Sequence, residues 1–140
     1  MRALRLDGEA GSATLELALI TPVLVAFLLL VVTLGRLGAA REDVDAAAAQ
    51  AARAASIALD PAQARSRAQA AASAAVAAHS LRCEVLEVSV DTASFHPGGQ
   101  VAVELSCRVA LGRLSGIGLP GSRVLNSRAV EVIDTFRGQP

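Results

Sequence analysis

The feature that most constrains this chain is an uncharged apolar run near its N-terminus. The run extends from Leu17 to Leu34 and reads LALITPVLVAFLLLVVTL. Its eighteen residues fall just inside the range of about 17 to 25 that an α-helix needs to cross a hydrocarbon core. Pro22 lies near the start of the run, where a hydroxyl such as that of Thr21 can bond to a freed backbone group, so we expect a kink and not a break. The run is therefore a membrane-spanning helix or a secretory signal.

The charges that flank this run do not settle its orientation. Arg2 and Arg5 precede the run, and Arg36, Arg41 and Arg53 follow it. Because the positive-inside rule compares basic residues near the two ends of a span, charge counting leaves both topologies open. The segment before the run is short, mixed in charge and rich in Gly, which is typical of a leader.

Composition excludes several classes of function. Thirteen basic residues balance thirteen acidic ones, so there is no net field to attract nucleic acid. The sequence has no Trp, no Tyr and only three Phe, which removes the stacking surfaces of single-strand binders. Every basic residue is Arg, so a P-loop lysine and Schiff-base chemistry are absent. The G-x-G-x-x-G match at 116–121 contains Pro120 and precedes a strand-like stretch, which favours a loop over a dinucleotide site.

Two helices are expected after the leader. The first is predicted from Ser12 to Leu59, because the apolar run continues into an alanine-rich stretch of high helix propensity. One face of that stretch carries small residues at helical spacing, and they are Val44, Ala48, Ala51, Ala55 and Ala58. These residues either pack closely against another helix or lie on a solvent-exposed helix surface. Asp60-Pro61 with Gln63 is a start signal for a second helix, predicted from Pro61 to about His79.

The last part of the sequence has the period of β-strands. Apolar and polar residues alternate over 84–91 and again over 101–111, and His96-Pro97-Gly98-Gly99 between them predicts an antiparallel hairpin. A third strand is predicted at 127–135. The fold class is therefore α+β, with one helix expected against a three-stranded antiparallel sheet.

Cys83 and Cys107 are the only cysteines, and an even count outside the membrane favours a disulfide. Matching the apolar faces of the hairpin sets Cys107 opposite Glu84, so a bridge would need a bulge or another register. A zinc site that also used His79 and His96 would lack any closely spaced ligand pair. We find no catalytic constellation, and the sequence predicts no enzyme, cofactor, metal or small-molecule substrate.

Glu16 is an acidic residue at the N-terminal end of the apolar helix. A carboxylate within a membrane is costly, so Glu16 is either a functional residue or one whose side chain extends to the lipid headgroups. Read with its neighbours, the segment Gly11-Ser12-Ala13-Thr14-Leu15-Glu16-Leu17-Ala18, followed by Pro22, resembles the signal of the TadE-like pseudopilins of tight-adherence (Flp) pili. The resemblance extends from Gly11 to about Arg41 and continues weakly to Ala55 and in the terminal segment SRAVEV at 127–132. It implies cleavage after Gly11 by a prepilin peptidase, with Ser12 as the new N-terminus and Glu16 as the fifth residue of the mature chain.

The resemblance also implies a function and an organisation. It implies a non-enzymatic minor pilin with a leader at 1–11, a transmembrane helix at 12–34, a helical extension at 35–59 and an extracytoplasmic α+β domain at 60–140. The implied partners are prepilin peptidase, other pilins with the Tad/Flp machinery, and the lipid bilayer. The implied location is the bacterial cytoplasmic membrane, as a single-pass protein that can enter a type IV-like pilus.

Two other hypotheses fit the residues. In the first, the chain is an uncleaved single-pass anchor whose extracytoplasmic domain binds another molecule. In the second, signal peptidase cuts after Gly38-Ala39-Ala40 and releases a secreted protein that begins at Arg41.

Overall fold

The computed structural model describes residues 10–79, 81–116, 118 and 120–136. The chain divides by contacts into two compact units, Met1–Gly35 and Arg36–Pro140. Most of the predicted leader, residues 1–9, lies outside the described residues. The six elements confirm the predicted α+β class, with helices first and an antiparallel sheet after them.

Helix α1 extends over Ala10–Ser56 and contains Pro22 without interruption. The Thr21 hydroxyl donates a 2.7 Å hydrogen bond to the carbonyl oxygen of Leu17. The carbonyl that loses its partner to proline belongs to Ala18, four residues before Pro22, so the Thr21 bond lies one residue away from the expected position. The predicted continuous helix is confirmed, with bounds two or three residues from those expected.

Helix α2 covers Pro61–Ala78 and begins as the sequence predicts. The Asp60 carboxylate accepts a 2.8 Å hydrogen bond from the backbone N–H of Gln63, and Pro61 occupies the first turn. The Gln63 side-chain oxygen accepts a 2.8 Å bond from the N–H of Leu59. Without these two bonds the backbone N–H groups of Gln63 and Leu59 would lack an acceptor within the helix. Their side-chain acceptors favour the start of the helix at this point.

The sheet has the order β1-β2-β3 and is antiparallel throughout. Its strands are β1 (Val85–Asp91), β2 (Gln100–Ala110) and β3 (Ser122–Val132). The third strand begins five residues before the predicted start, because pairing along all of β2 extends it through a polar stretch with little apolar alternation. A short helix, α3 (Leu111–Ser115), follows β2 and was not predicted.

The core lies between one face of the sheet and two helices. Alternate residues of β2 are buried, and they are Val101, Val103, Leu105, Cys107 and Val109. The buried residues of α2 follow at helical spacing, and they are Ala64, Ala68, Ala72, Ala75 and Val76. The same cluster contains the C-terminal part of α1, which contributes to the core in addition to the one helix that the sequence placed against the sheet. The predicted small-residue face is buried at every position, from Val44 to Ala58.

A disulfide joins Cys83 to Cys107, with a Cα–Cα distance of 5.3 Å. The strand register places Cys107 opposite Leu86 and not opposite Glu84, a difference of two residues from the sequence-based alignment. Cys83 precedes β1 by two residues, so strand alternation does not fix the direction of its side chain. The disulfide and the hairpin are therefore compatible without a bulge, because only Cys107 belongs to a strand.

Candidate functional site

The N-terminal part of α1 exposes an apolar surface on all its sides. From Leu15 to Leu34 its large side chains are between 41% and 71% exposed, Phe27 at 60% among them. An eighteen-residue window of this helix has a mean hydropathy of 2.8 and no buried residue. No other part of the chain that the structure describes covers this surface. A helix that is apolar all round belongs in a core or in lipid, so length and composition here fit a membrane span.

The polar side chains within this surface are of two kinds. The hydroxyls of Thr21 and Thr33 each donate a 2.7 Å hydrogen bond to the carbonyl four residues earlier in the helix. Such bonds remove the cost of placing a hydroxyl in an apolar medium. Glu16 is different, because its exposed side chain is the only ionisable one between Leu15 and Leu34. It needs water, a headgroup or a cation from another molecule.

The Gly11–Ser12 peptide bond lies in the first turn of α1, which begins at Ala10. Glu16 follows Ser12 by four residues, which is about one helical turn, so the backbone nitrogen of Ser12 and Glu16 lie on the same side of the helix.

The Arg36–Pro140 unit contains a cavity of about 650 Å³ near the sheet end where β2 stops. Three arginines from three parts of the chain line it, and they are Arg36 of α1, Arg82 in the connection before β1, and Arg113 of α3. Ala40 and Val109 contribute apolar surface to the same cavity. The lining of the cavity is therefore partly basic and partly apolar.

One contact between an imidazole and a carboxylate lies in the wall of this cavity. His79 Nδ1 of the α2 C-cap is 3.2 Å from Asp43 Oδ1 of α1, and both side chains are about one third exposed. This contact ties the end of α2 to α1. The convergence of the three arginines on the cavity was not predicted from the sequence. They are far apart along the chain and form no motif, and they come together only in the folded structure.

The four residues considered as zinc ligands have other partners. Both cysteine sulfurs are used in the disulfide. His79 contacts Asp43, and His96 lies in a turn with its Nδ1 3.1 Å from the carbonyl oxygen of Pro97. Among the residues described, no group of three or more His, Cys, Asp or Glu side chains is arranged to hold a metal ion.

Comparison with known proteins gives one match. The model of the TadE-like protein family matches residues 11–53, which is almost the whole of α1 and includes both its exposed apolar part and its buried alanine face. No curated protein and no solved structure matches the chain. That family is structural and non-enzymatic, and the apolar helix together with the match is consistent with a membrane-anchored protein associated with Tad pili. Over residues 11–53 the chain is therefore similar to the TadE-like protein family.

Proposed function

We propose that this protein is a minor pilin, or pseudopilin, of a TadE-type pilus, cleaved after Gly11 and assembled through the N-terminal part of α1. The observation that carries the proposal is where the family match begins, because it starts at Gly11 and includes Glu16. The exposed apolar surface from Leu15 to Leu34 supports it, because such a surface can face lipid before assembly and other subunits afterwards.

The proposed role of Glu16 follows from electrostatics. A carboxylate within a bundle of apolar helices is costly, and a cation beside it lowers that cost. Cleavage would create such a cation, since the α-amino group of Ser12 is released from peptide linkage. Pairing of Glu16 in one subunit with the Ser12 amine of its neighbour would neutralise both charges. It would also fix the axial register of the two helices.

The proposed topology places the N-terminus in the bacterial cytoplasm and the Arg36–Pro140 unit outside. The disulfide supports this orientation, because disulfides persist in oxidising compartments outside the cytoplasm. Prepilin peptidase, other pilins and the Tad assembly machinery are then the protein partners, and the bilayer is the environment of the helix. We propose no nucleic-acid partner and no small-molecule substrate.

Burial within α1 supports this proposal over a secreted form. Ala40 is only 4% exposed and belongs to the core cluster of the folded unit. Cleavage after Ala40 would remove it, together with Arg36 and the helical turn that both belong to. A secreted chain that begins at Arg41 would thus lack part of its own core, whereas cleavage after Gly11 leaves the cluster intact.

The mature N-terminus is the direct test. Mass spectrometry of the protein from membrane fractions should find Ser12 as the first residue, whereas Met1 would indicate an uncut anchor and Arg41 a secreted protein. Gly11→Leu should leave the precursor uncut, because a bulky side chain at this position blocks the approach of the backbone to the peptidase. Gly8→Leu adds the same side chain three residues earlier and serves as the control. Normal cleavage of the Gly11→Leu protein would refute the assigned site.

The assembly role of Glu16 has a separate test. Glu16→Ala should leave membrane insertion and cleavage intact, because the apolar run is unchanged, yet it should abolish recovery of the protein in sheared pili. Adding Leu15→Glu to this variant should not restore assembly, because one step along a helix turns a side chain by about 100°. Recovery of Glu16→Ala at the wild-type level would show that charge pairing does not drive assembly.

A further inference from the structure

The arginine-lined cavity of the Arg36–Pro140 unit has no role in the function proposed above. Its arginines come from α1, from the connection before β1 and from α3, so three separate parts of the chain converge on it. We propose that this cavity binds the phosphate group of an anionic lipid. The inference rests on membrane anchoring by α1, but it does not depend on cleavage or on assembly into a pilus.

The residue types favour a phosphate. A guanidinium presents planar, paired N–H donors that match the oxygens of phosphate, and it stays charged at any physiological pH. Three arginines line the cavity against one carboxylate, that of Asp43, which lies 3.2 Å from the imidazole of His79. The charge at the cavity is therefore positive although the whole chain is neutral. The apolar part of the wall, at Ala40 and Val109, offers a surface to the glycerol and upper acyl carbons of a lipid.

Position along the chain favours a lipid as the source of the phosphate. Arg36 is the first charged residue after the apolar run and follows its last residue, Leu34, by two positions. Two residues of helix rise only about 3 Å, so a membrane that holds the run also holds Arg36 at the depth of the headgroups. Arg82 and Arg113 line the same cavity as Arg36, so an anionic headgroup that meets Arg36 also meets this cavity.

Local structure fixes the backbone close to Arg82 and Arg113. Cys83 is bonded to Cys107 of β2, and this bond fixes the chain beside Arg82 against the sheet. Gly116 ends α3 with a positive φ of 69°, and a Cβ at this position would lie 3.7 Å from the Arg36 guanidinium. The positive φ is the reason for glycine at this turn, because a side chain here would strain the backbone although it would fit beside Arg36. A site held by a disulfide and a turn needs little rearrangement to accept a ligand.

The test is a binding measurement on the full chain in neutral detergent micelles, by thermophoresis. The probes are dihexanoyl phosphatidylglycerol, dihexanoyl phosphatidylcholine and glycerol 3-phosphate. The phosphatidylglycerol should bind, and the zwitterionic lipid should bind at least about tenfold more weakly, because its choline adds a positive charge beside the arginines. Binding of glycerol 3-phosphate as tight as that of phosphatidylglycerol would identify free phosphate as the ligand and overturn the lipid assignment.

Paired variants separate the cavity from general surface charge. Arg82→Gln with Arg113→Gln should weaken phosphatidylglycerol binding by at least about tenfold, since each removes a charged donor. The control is Arg41→Gln with Arg123→Gln, which removes the same charge from exposed positions outside this cavity. Circular dichroism of both pairs should match the wild type. Equal weakening in the two pairs, or no weakening in the first, would refute the cavity as the site.

Discussion

The alanine contact between α1 and the rest of the Arg36–Pro140 core predicts a large effect from one added side chain. Ala51 is completely buried on α1, and it belongs to the same cluster as buried alanines of α2 and valines of β2. Leucine at this position adds three carbon atoms to a site that has no exposed surface. Because packed interiors cannot absorb such volume without shifts of neighbouring groups, Ala51→Leu should reduce the free energy of unfolding by about 1 to 3 kcal/mol.

The same helix offers a matched control. Ala49 is exposed and lies two residues earlier, on another side of α1. Ala49→Leu makes an identical chemical change, and both residues are good helix formers, so intrinsic propensity contributes little to either variant. We therefore expect Ala49→Leu to stay within about 0.5 kcal/mol of the wild type.

Thermal unfolding followed by circular dichroism, on the full chain in detergent, measures the difference. A loss of 1 kcal/mol lowers the midpoint by about 4 °C or more in a unit of this size, so Ala51→Leu should unfold well below the control. Hydrogen exchange of peptides from β2 should accelerate in Ala51→Leu and not in Ala49→Leu. Equal midpoints for the two variants would mean that α1 does not pack closely against the sheet and α2.

Three further predictions concern the folded unit. Replacing Cys83 and Cys107 together by alanine should cost about 3 kcal/mol, measured as the fall in the unfolding midpoint, and an unchanged midpoint would deny the bridge a stabilising role. Asp60→Ala should cost about 1 kcal/mol by loss of the cap to Gln63, while Asp60→Asn should restore most of it in the same assay. Leu105→Ala should cost about 2 to 5 kcal/mol, because this side chain is fully buried at the centre of β2, and a smaller loss would show that the core collapses around it.

Local signals in the sequence were sufficient for most of the elements. The start of α2 was predictable because Asp60, Pro61 and Gln63 act within one turn of each other. The first two strands were predictable because one face of β2 is buried and one face of β1 is half-buried, so apolar residues recur there with period two. The start of β3 was not predictable in this way. Its first residues are mostly exposed, and they are in a strand because β2 continues beside them.

Features that depend on distant parts of the chain were beyond sequence reasoning. The hairpin register was displaced by two residues, a shift that keeps every side chain on its face and is therefore invisible to an argument from apolar faces. The basic cavity combines Arg36, Arg82 and Arg113, which are separated by 46 and 31 positions and share no motif. By contrast, the resemblance at Gly11 to Ala18 was readable because its residues are contiguous, and the family match confirms it.

The two parts of α1 explain why the family match extends beyond the apolar run. A membrane anchor alone would need only the run that ends at Leu34, yet the match continues to residue 53. Over that added length the helix changes from large exposed side chains to alanines buried in the core cluster. Small side chains are required there because the other elements of the unit must approach the helix closely. The matched segment therefore combines an exposed apolar part and a buried alanine face in one helix, and a substitution on the alanine face should impair folding even where the apolar part is unchanged.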